Sequence, residues 1–465
     1  MNSASTPLIE LARLWQDADL DASALARLEL TGADPVLPSS FAVGTLAQVS
    51  TGAAALAATE VGRARDGVLQ GAQVDMLASA LECTAWFSID GRTPDTWDKI
   101  SGLYRCADGW VRIHANFAHH RDGALRLLGL PTGDATPRSA VEAALVGWKA
   151  LAFEQAAADA NLVVAAVRTF EEWDAHPQSA AVAALPLVSF ERVGDAPALV
   201  LPSLAPDARP LTGLRVLDLT RILAGPICGR TLAAYGADVM LVNSPKLPNI
   251  ESIIDTSRGK LSCHIDLAEE SGREHLRALL ADAHVFVQGY RPGGIAARGF
   301  GPEDAARIRP GLVYVSLSAY GGVGPWAGRR GFDSLVQTAT GLNHAEMLAA
   351  GASTPKPLPM QILDYATGFH MAFGAQAALL RQTREGGSWH VRVSLARTAH
   401  WLRSQPRVEN GLQVPTPARD AYLETMASGW GELVALRHAG VLARTPAGWD
   451  RPSVRPGTHA PRWPG

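Results

Sequence analysis

One carboxylate stands in a context suited to covalent chemistry: Asp364, within Pro359-Met-Gln-Ile-Leu-Asp-Tyr-Ala-Thr-Gly-Phe-His370. The pattern predicts a short apolar strand or turn that hands over to a small-residue helix from Ala366 to about Arg381. A carboxylate at that hand-over can accept from the orphan N–H groups of the first helical turn, and the helix dipole favours its ionised form. Gly368, lacking Cβ, lets a backbone or a ligand come close. An oriented, anionic carboxylate open to a ligand is what a nucleophile requires. The same residue also suits a plain helix N-cap, and these residues alone leave both roles open.

Other chemistries find less support. Cys83, Cys106, Cys228 and Cys263 are scattered with no CxxC pair, and the histidines, His119-His120 included, show no ligand spacing. No metal site is expected, and a reducing cytoplasm is the default compartment. A dinucleotide enzyme is disfavoured. The first βα turn is Thr220-Arg-Ile-Leu-Ala-Gly-Pro rather than G-x-G-x-x-G, and Asn243 ends the second strand where an acid would hold a ribose. Gly225-Pro226 still opens a helix whose N-terminus can receive an anion or a thioester carbonyl.

The chain has 465 residues, 47% hydrophobic and 19% charged, with net charge −3. That is room for two or three globular domains. Without a Lys/Arg block, nucleic acid and anionic membrane are poor partners, and neither a secretory signal nor a membrane-length apolar run is visible. Strands alternate with helices from Leu214 to Leu317, which predicts a parallel, doubly wound (Rossmann-like) sheet. Arg221, Arg258, Lys260, Arg291, Arg298, Arg329 and Arg330 fall near the carboxyl ends of those strands, as a ligand with several phosphates needs. The expected domains are an N-terminal helical segment (1–98), a small α+β domain (99–204), a large domain (211–405) and an extended C-terminal tail (406–465). The 1–98 segment also echoes the Asp364 region. Gln48 precedes an Ala-rich helix and Val74 as Asp364 precedes a helix and Val391, at spacings of 316 and 317 residues. On that register an amide stands where the second copy carries its carboxylate.

From Leu211 to about Leu402 the chain resembles the family III CoA-transferases, which include formyl-CoA and carnitine CoA-transferases and α-methylacyl-CoA racemases. The resemblance rests on Gly213-Leu-Arg-Val-Leu-Asp-Leu-Thr-Arg-Ile-Leu-Ala-Gly-Pro, Tyr235-Gly-Ala-Asp-Val-Met-Leu-Val-Asn-Ser-Pro, Ser257-Arg-Gly-Lys-Leu-Ser and Tyr290-Arg-Pro-Gly. It continues through Gly299-Phe-Gly, Leu312-Val-Tyr-Val-Ser-Leu-Ser-Ala-Tyr-Gly, Gly331-Phe-Asp and Leu363-Asp-Tyr-Ala-Thr-Gly. It implies a CoA-binding domain in which Asp364 is the nucleophile of an acyl-CoA:carboxylate CoA-transferase. CoA enters as substrate, no cofactor is permanently held, and the partners are an acyl-CoA and a carboxylic acid acceptor. CoA contacts are implied at Leu223, Ala224, Ser244, Ile265, Asp266, Leu267, Gly289, Tyr290, Arg291, Arg298 and Arg330. Family members form interlocked dimers with the site between large and small domains, so a homodimer is expected.

The departures from the family carry meaning too. Asn243, Ser257 and Gln288-Gly-Tyr replace the usual Glu, Asn and Glu-Asn-Phe. Leu223 stands where formyl-CoA transferase has a Gln. Phe332 occupies the racemase histidine position and cannot move a proton, which favours transfer over racemisation or isomerisation. In the family the small domain follows the catalytic helix, whereas here it precedes the large domain. A rearranged, partly duplicated chain is expected, and a catalytically inactive CoA-binding subunit is the third reading.

Overall fold

The computed structural model describes residues 6–464. Its centre is a seven-stranded sheet. In chain order the strands are β1 (Ser189–Gly194), β2 (Arg215–Leu219), β3 (Asp238–Asn243), β4 (Lys260–His264), β5 (Val285–Gln288), β6 (Val313–Ser318) and β7 (Ser388–Ser394). Their spatial order is β4-β3-β2-β5-β6-β7-β1. The first six pair in parallel, and β1, from the end of the small domain, closes the edge antiparallel to β7. Alternate residues serve two cores. Val216, Val239, Val285, Val313 and Val391 face one; Leu217, Met240, Phe286 and Tyr314 face the other. Period-two exposure to two apolar layers explains why these strands read as nearly continuous hydrophobic runs.

On the first face lie two helices of 24 residues each, α1 (Val43–Asp66) and α4 (Ile362–Glu385). They pack against each other with almost every side chain buried. Alanines dominate the α1 surface, so the two backbones come close enough for the Gln376 amide to donate to the Ala54 carbonyl at 3.1 Å. A shorter helix, α2 (Ala224–Ala234), packs on α4, and Gly368 makes this possible. A Cβ there would lie 2.4 Å from the Ala224 carbonyl oxygen. The close approach expected at this glycine is therefore a helix, not a ligand.

The echo between the two halves is visible in the backbone, at a different register. Helix starts (43 and 362), C-caps (Gly67 and Gly386) and the N-caps of the following helices (Asp75 and Ser394) all differ by 319 residues. On that register Thr45, not Gln48, falls opposite Asp364. The Gln48 amide instead bridges two parallel strands, donating to the Thr31 and Val74 carbonyls at 2.7 and 2.9 Å. The repeated Thr-Gly pair (Thr51-Gly52 and Thr367-Gly368) sets the register of the sequence echo, whereas the register of the fold is set by where each helix starts and stops.

The small unit between them has strands Gly102–Arg105, Trp110–Ile113 and Val164–Ala166 and its own core around Tyr104, Leu125, Val141 and Phe153. The segment after 405, expected to be extended, carries three strands. Leu423–Ser428 and Gly431–Leu436 form a hairpin that pairs with Phe87–Ile89, and Gly440–Leu442 pairs with Ala72–Asp75. Its Pro and Gly content hid short strands completed by partners more than 300 residues away. Among the described residues beyond Leu442 no regular element forms, and Ser453, His459 and Trp463 bond to Ser257, Ser262 and Leu279. Among the described residues no helix is long and apolar enough to cross a membrane.

Candidate active site

Helix α4 begins at Ile362, four residues earlier than the sequence pattern suggests, with Gln361 as N-cap. Asp364 is thus the third residue of the helix rather than its cap. The cap role passes to Asp333, the first residue of α3 (Asp333–Ala339) and the end of the Gly-Phe-Asp motif. Its Oδ2 accepts the Asp364 N–H at 2.9 Å and it also takes the Leu363 N–H, while Gln337 donates to Oδ1 at 2.5 Å. The first long helix starts the same way. Asp34 accepts the N–H groups of Gly44 and Thr45 at 3.1 and 2.8 Å. In both helices an upstream carboxylate satisfies orphan donors of the first turn, which leaves the Asp364 side chain free of that task.

The freed carboxylate opens into a cavity of about 450 Å³ at the carboxyl ends of β2, β5 and β6. Asp364 is only 7% exposed. Burial pushes its pKa well above the ordinary carboxylate range, the neighbouring Asp333 charge adds to the rise, and the Ala224 N–H at the start of α2 opposes both. Asp333 is raised by burial as well, with Arg112 of the small unit the nearest opposing charge. Burial and the Asp333 charge thus act on Asp364 in the opposite sense to the helix dipole, which favours its ionised form. Two neighbouring buried carboxyl groups resist joint ionisation.

The turn before α2 is under constraint. Ile222 has φ +80°, a left-handed conformation that a β-branched residue rarely adopts. Asp218, fully buried, holds the turn by accepting from the Thr220 N–H and hydroxyl at 2.9 and 2.5 Å. Lys260 donates to Asp218 and to the Pro226 carbonyl, both at 2.8 Å. Strain held by a buried ion pair, next to the N–H that faces Asp364, is characteristic of a pre-organised site.

The opposite wall comes from the small unit. Phe117, His119, His120 and Val163 line the same cavity. Phe332 stacks on His114 at 4.0 Å and meets His120 edge-on at 6.2 Å. Burial, before any other influence, pulls both histidines down to about 3, so they are neutral near pH 7. The Arg330 guanidinium donates to His120 Nε2 at 3.2 Å.

The sequence-derived contacts divide by place. Leu223, Ala224, Gly289, Tyr290, Arg291 and Arg330 line the cavity with Asp364. Ser244, Ile265, Asp266, Leu267 and Arg298 do not line it. The first four follow the ends of β3 and β4 and Arg298 lies in the turn after β5; Lys246 pairs with Asp266 at 2.6 Å and Arg298 donates to the Leu267 carbonyl at 2.8 Å. Of the expected phosphate-side cations, Lys260 and Arg258 are not available to a ligand. Lys260 is committed to Asp218, and Arg258 is fully buried between Asp255, Glu424 and the Trp449 ring. Arg221 and Arg329 do line the cavity. Two further residues have no distinguishing signal in the sequence: Asp333 is the last residue of the Gly331-Phe-Asp motif and His120 lacks ligand spacing, and only tertiary packing brings them beside Asp364 and onto its cavity wall.

A family model described as CoA-transferase family III matches residues 22–204 and 211–425. An acetyl-coenzyme A transferase of Hypoxylon pulicicidum is 36% identical over 199 residues, covering 42% of this chain and 34% of that protein. A probable fatty acyl-CoA transferase of Mycobacterium tuberculosis is 33% identical over 211 residues, covering 42% and 53%. The succinyl-CoA:glutarate CoA-transferase of Mus musculus is 34% identical over 201 residues, covering 40% and 45%. The chain spans between about a third and about half of the length of these relatives.

Proposed function

The chain belongs to CoA-transferase family III, and we propose that it is an acyl-CoA:carboxylate CoA-transferase with Asp364 as the covalent nucleophile. The observation that carries this reading is a cavity-facing carboxylate relieved of helix capping by Asp333 and faced by the Ala224 N–H.

In the first step an Asp364 oxygen attacks the thioester carbonyl, the C–S bond breaks, and CoA leaves as thiolate with an aspartyl mixed anhydride behind it. The thiolate then attacks the aspartyl carbonyl, releasing the donor acid and leaving an aspartyl-CoA thioester. The acceptor carboxylate displaces the thiolate to form a second anhydride, and the thiolate attacks the acceptor's carbonyl to regenerate Asp364. A thiol of ordinary pKa about 8.5 is a workable leaving group near neutrality, and dividing the transfer lowers each barrier. The Ala224 N–H, at the positive end of α2, is the donor nearest the developing oxyanion.

The strand order runs from β2 outward through β3 to β4 and then returns past β2 to β5, β6 and β7, which we read as a doubly wound CoA-binding domain whose ligand lies at the switch point between β2 and β5. Residues 1–98 and 99–204 are read as part of a degenerate copy that supplies its small domain to the large domain of the second. Homodimerisation is not needed to bring Phe117 and His120 to Asp364, because one chain already does so.

Racemisation is the second reading, and His120 on the cavity wall is the observation that keeps it in view. An assay with an acyl-CoA donor and a free carboxylic acid in deuterium oxide separates the two. Transfer predicts a new CoA thioester with no deuterium at the donor's α-carbon; racemisation predicts α-deuterium and no new thioester. CoA binding with neither product would leave the inactive-subunit reading.

A further inference from the structure

A second cavity, of about 290 Å³, adjoins the first. Tyr290, Arg291, Pro292, Leu317 and Ser318 line both. It sits on the face of β6 and β7 away from the long helices, with walls that include Leu185, Val323 and Val393. Beyond that shared rim, among the residues that line only the second cavity, the Ser316 hydroxyl and His390 Nε2 lie 2.6 Å apart. His390 is 8% exposed, and burial first, with help from Arg392, holds it down to about 4, so the ring is neutral at pH 7.

Neutrality fixes what this pair can offer. If Ser316 donates to Nε2, the ring carries its hydrogen on Nδ1, where no described residue accepts it. If Nε2–H donates to Ser316, the serine hydroxyl keeps a free hydrogen. In either tautomer one uncharged donor remains. Charge enters only from Arg291 and from Arg392, which is already paired with Glu191 at 2.7 Å. A mostly apolar wall with one neutral donor at its end is a common design for a small-molecule pocket.

Resting on the transferase reading above, we propose that this cavity is the acyl pocket. It takes a medium-length acyl chain that bears an oxygen acceptor near its far end. Hydroxyl and carboxylate share that acceptor chemistry, and the test separates them.

The Asp364→Asn protein is titrated calorimetrically with acetyl-CoA, octanoyl-CoA, and the ω-hydroxy and ω-carboxy forms of octanoyl-CoA. Octanoyl-CoA is expected to bind tighter than acetyl-CoA, and an oxygen-tipped chain tighter again by about three- to tenfold, the worth of one hydrogen bond. Preference for hydroxyl assigns recognition to the Ser316–His390 pair alone; preference for carboxylate adds Arg291. The Ser316→Ala/His390→Phe double variant is expected to erase the preference for oxygen.

Gly322→Trp provides a second arm that spares the core, since nothing lies within 4 Å of a Cβ there. It is expected to bring all three long-chain affinities down towards that of acetyl-CoA. Equal affinity for acetyl- and octanoyl-CoA, no preference for oxygen, or a preference that survives the double variant would overturn the assignment. Binding by the Asn protein is independent of covalent chemistry. Adduct formation by the unaltered protein with acetyl-CoA therefore tests the nucleophile separately.

Discussion

At the scale of single residues, the account turns on how two buried carboxyl groups share one site. Asp364 is raised by burial first and by the Asp333 charge second. The attacking species is the carboxylate, so acylation should speed up as pH rises, with a midpoint above the ordinary carboxylate value of about 4. Asp333→Asn keeps an oxygen to accept the Asp364 N–H but removes the repelling charge. The midpoint of a single-turnover pH profile should then move down. Asp333→Ala removes the acceptor altogether, leaving the buried N–H groups of Leu363 and Asp364 unpaired at a cost of about 1–3 kcal/mol each, measurable by urea unfolding. A merely structural Asp333 would lower stability in both variants and leave the pH midpoint where it was.

At the scale of elements, the site depends on α2 meeting α4 at Gly368. Gly368→Ala puts a methyl 2.4 Å from the Ala224 carbonyl oxygen, and forced repacking of that kind costs about 1–3 kcal/mol. The same displacement moves the Ala224 N–H off Asp364. Acylation should therefore slow by more than the stability loss accounts for at temperatures where the variant is still folded. The strands of the central sheet and the Asp364 helix were legible from hydrophobic runs and small-residue composition. The start of that helix was not, because Pro359 and the apolar residues after it read as strand, and the true cap is supplied by Asp333 from 31 residues upstream. Lys260 and Arg258 misled for a related reason. Position along the chain placed them near strand ends, but their commitment to Asp218 and to Asp255 is set by tertiary neighbours.

At the scale of the molecule, four separate segments meet at one buried charge cluster. Arg230 of α2 pairs with Glu82 at 2.8 Å and with Asp255; Glu82 also receives the Ala439 N–H at 2.9 Å and lies 3.1 Å from His438. Burial alone would raise Glu82, but His438, Arg230 and the Ala439 N–H outweigh it and bring the group to about 2. A lowered carboxylate contributes stability that is present above its ordinary value near 4.5 and is lost as pH falls towards about 2. Glu82→Gln should flatten the acid limb of the stability profile. Glu82→Ala removes one of the two carboxylates that face Arg230, leaving Asp255, and strips the Ala439 N–H of its acceptor, so it should cost about 1–3 kcal/mol. It should also expose the 423–442 strands to protease, because those strands are tied to the large domain through this cluster. The duplication-like echo was visible in sequence, but only the helix ends revealed its register, with Thr45 opposite Asp364.

The most direct measurement is peptide mapping by mass spectrometry after brief incubation with acetyl-CoA. The expected result is a hydroxylamine-sensitive acyl or CoA adduct on the peptide containing Asp364, absent from Asp364→Asn and never found at Thr45 or Gln48. CoA exchange between acids that proceeds undiminished in Asp364→Asn, or an adduct on another side chain, would contradict the account.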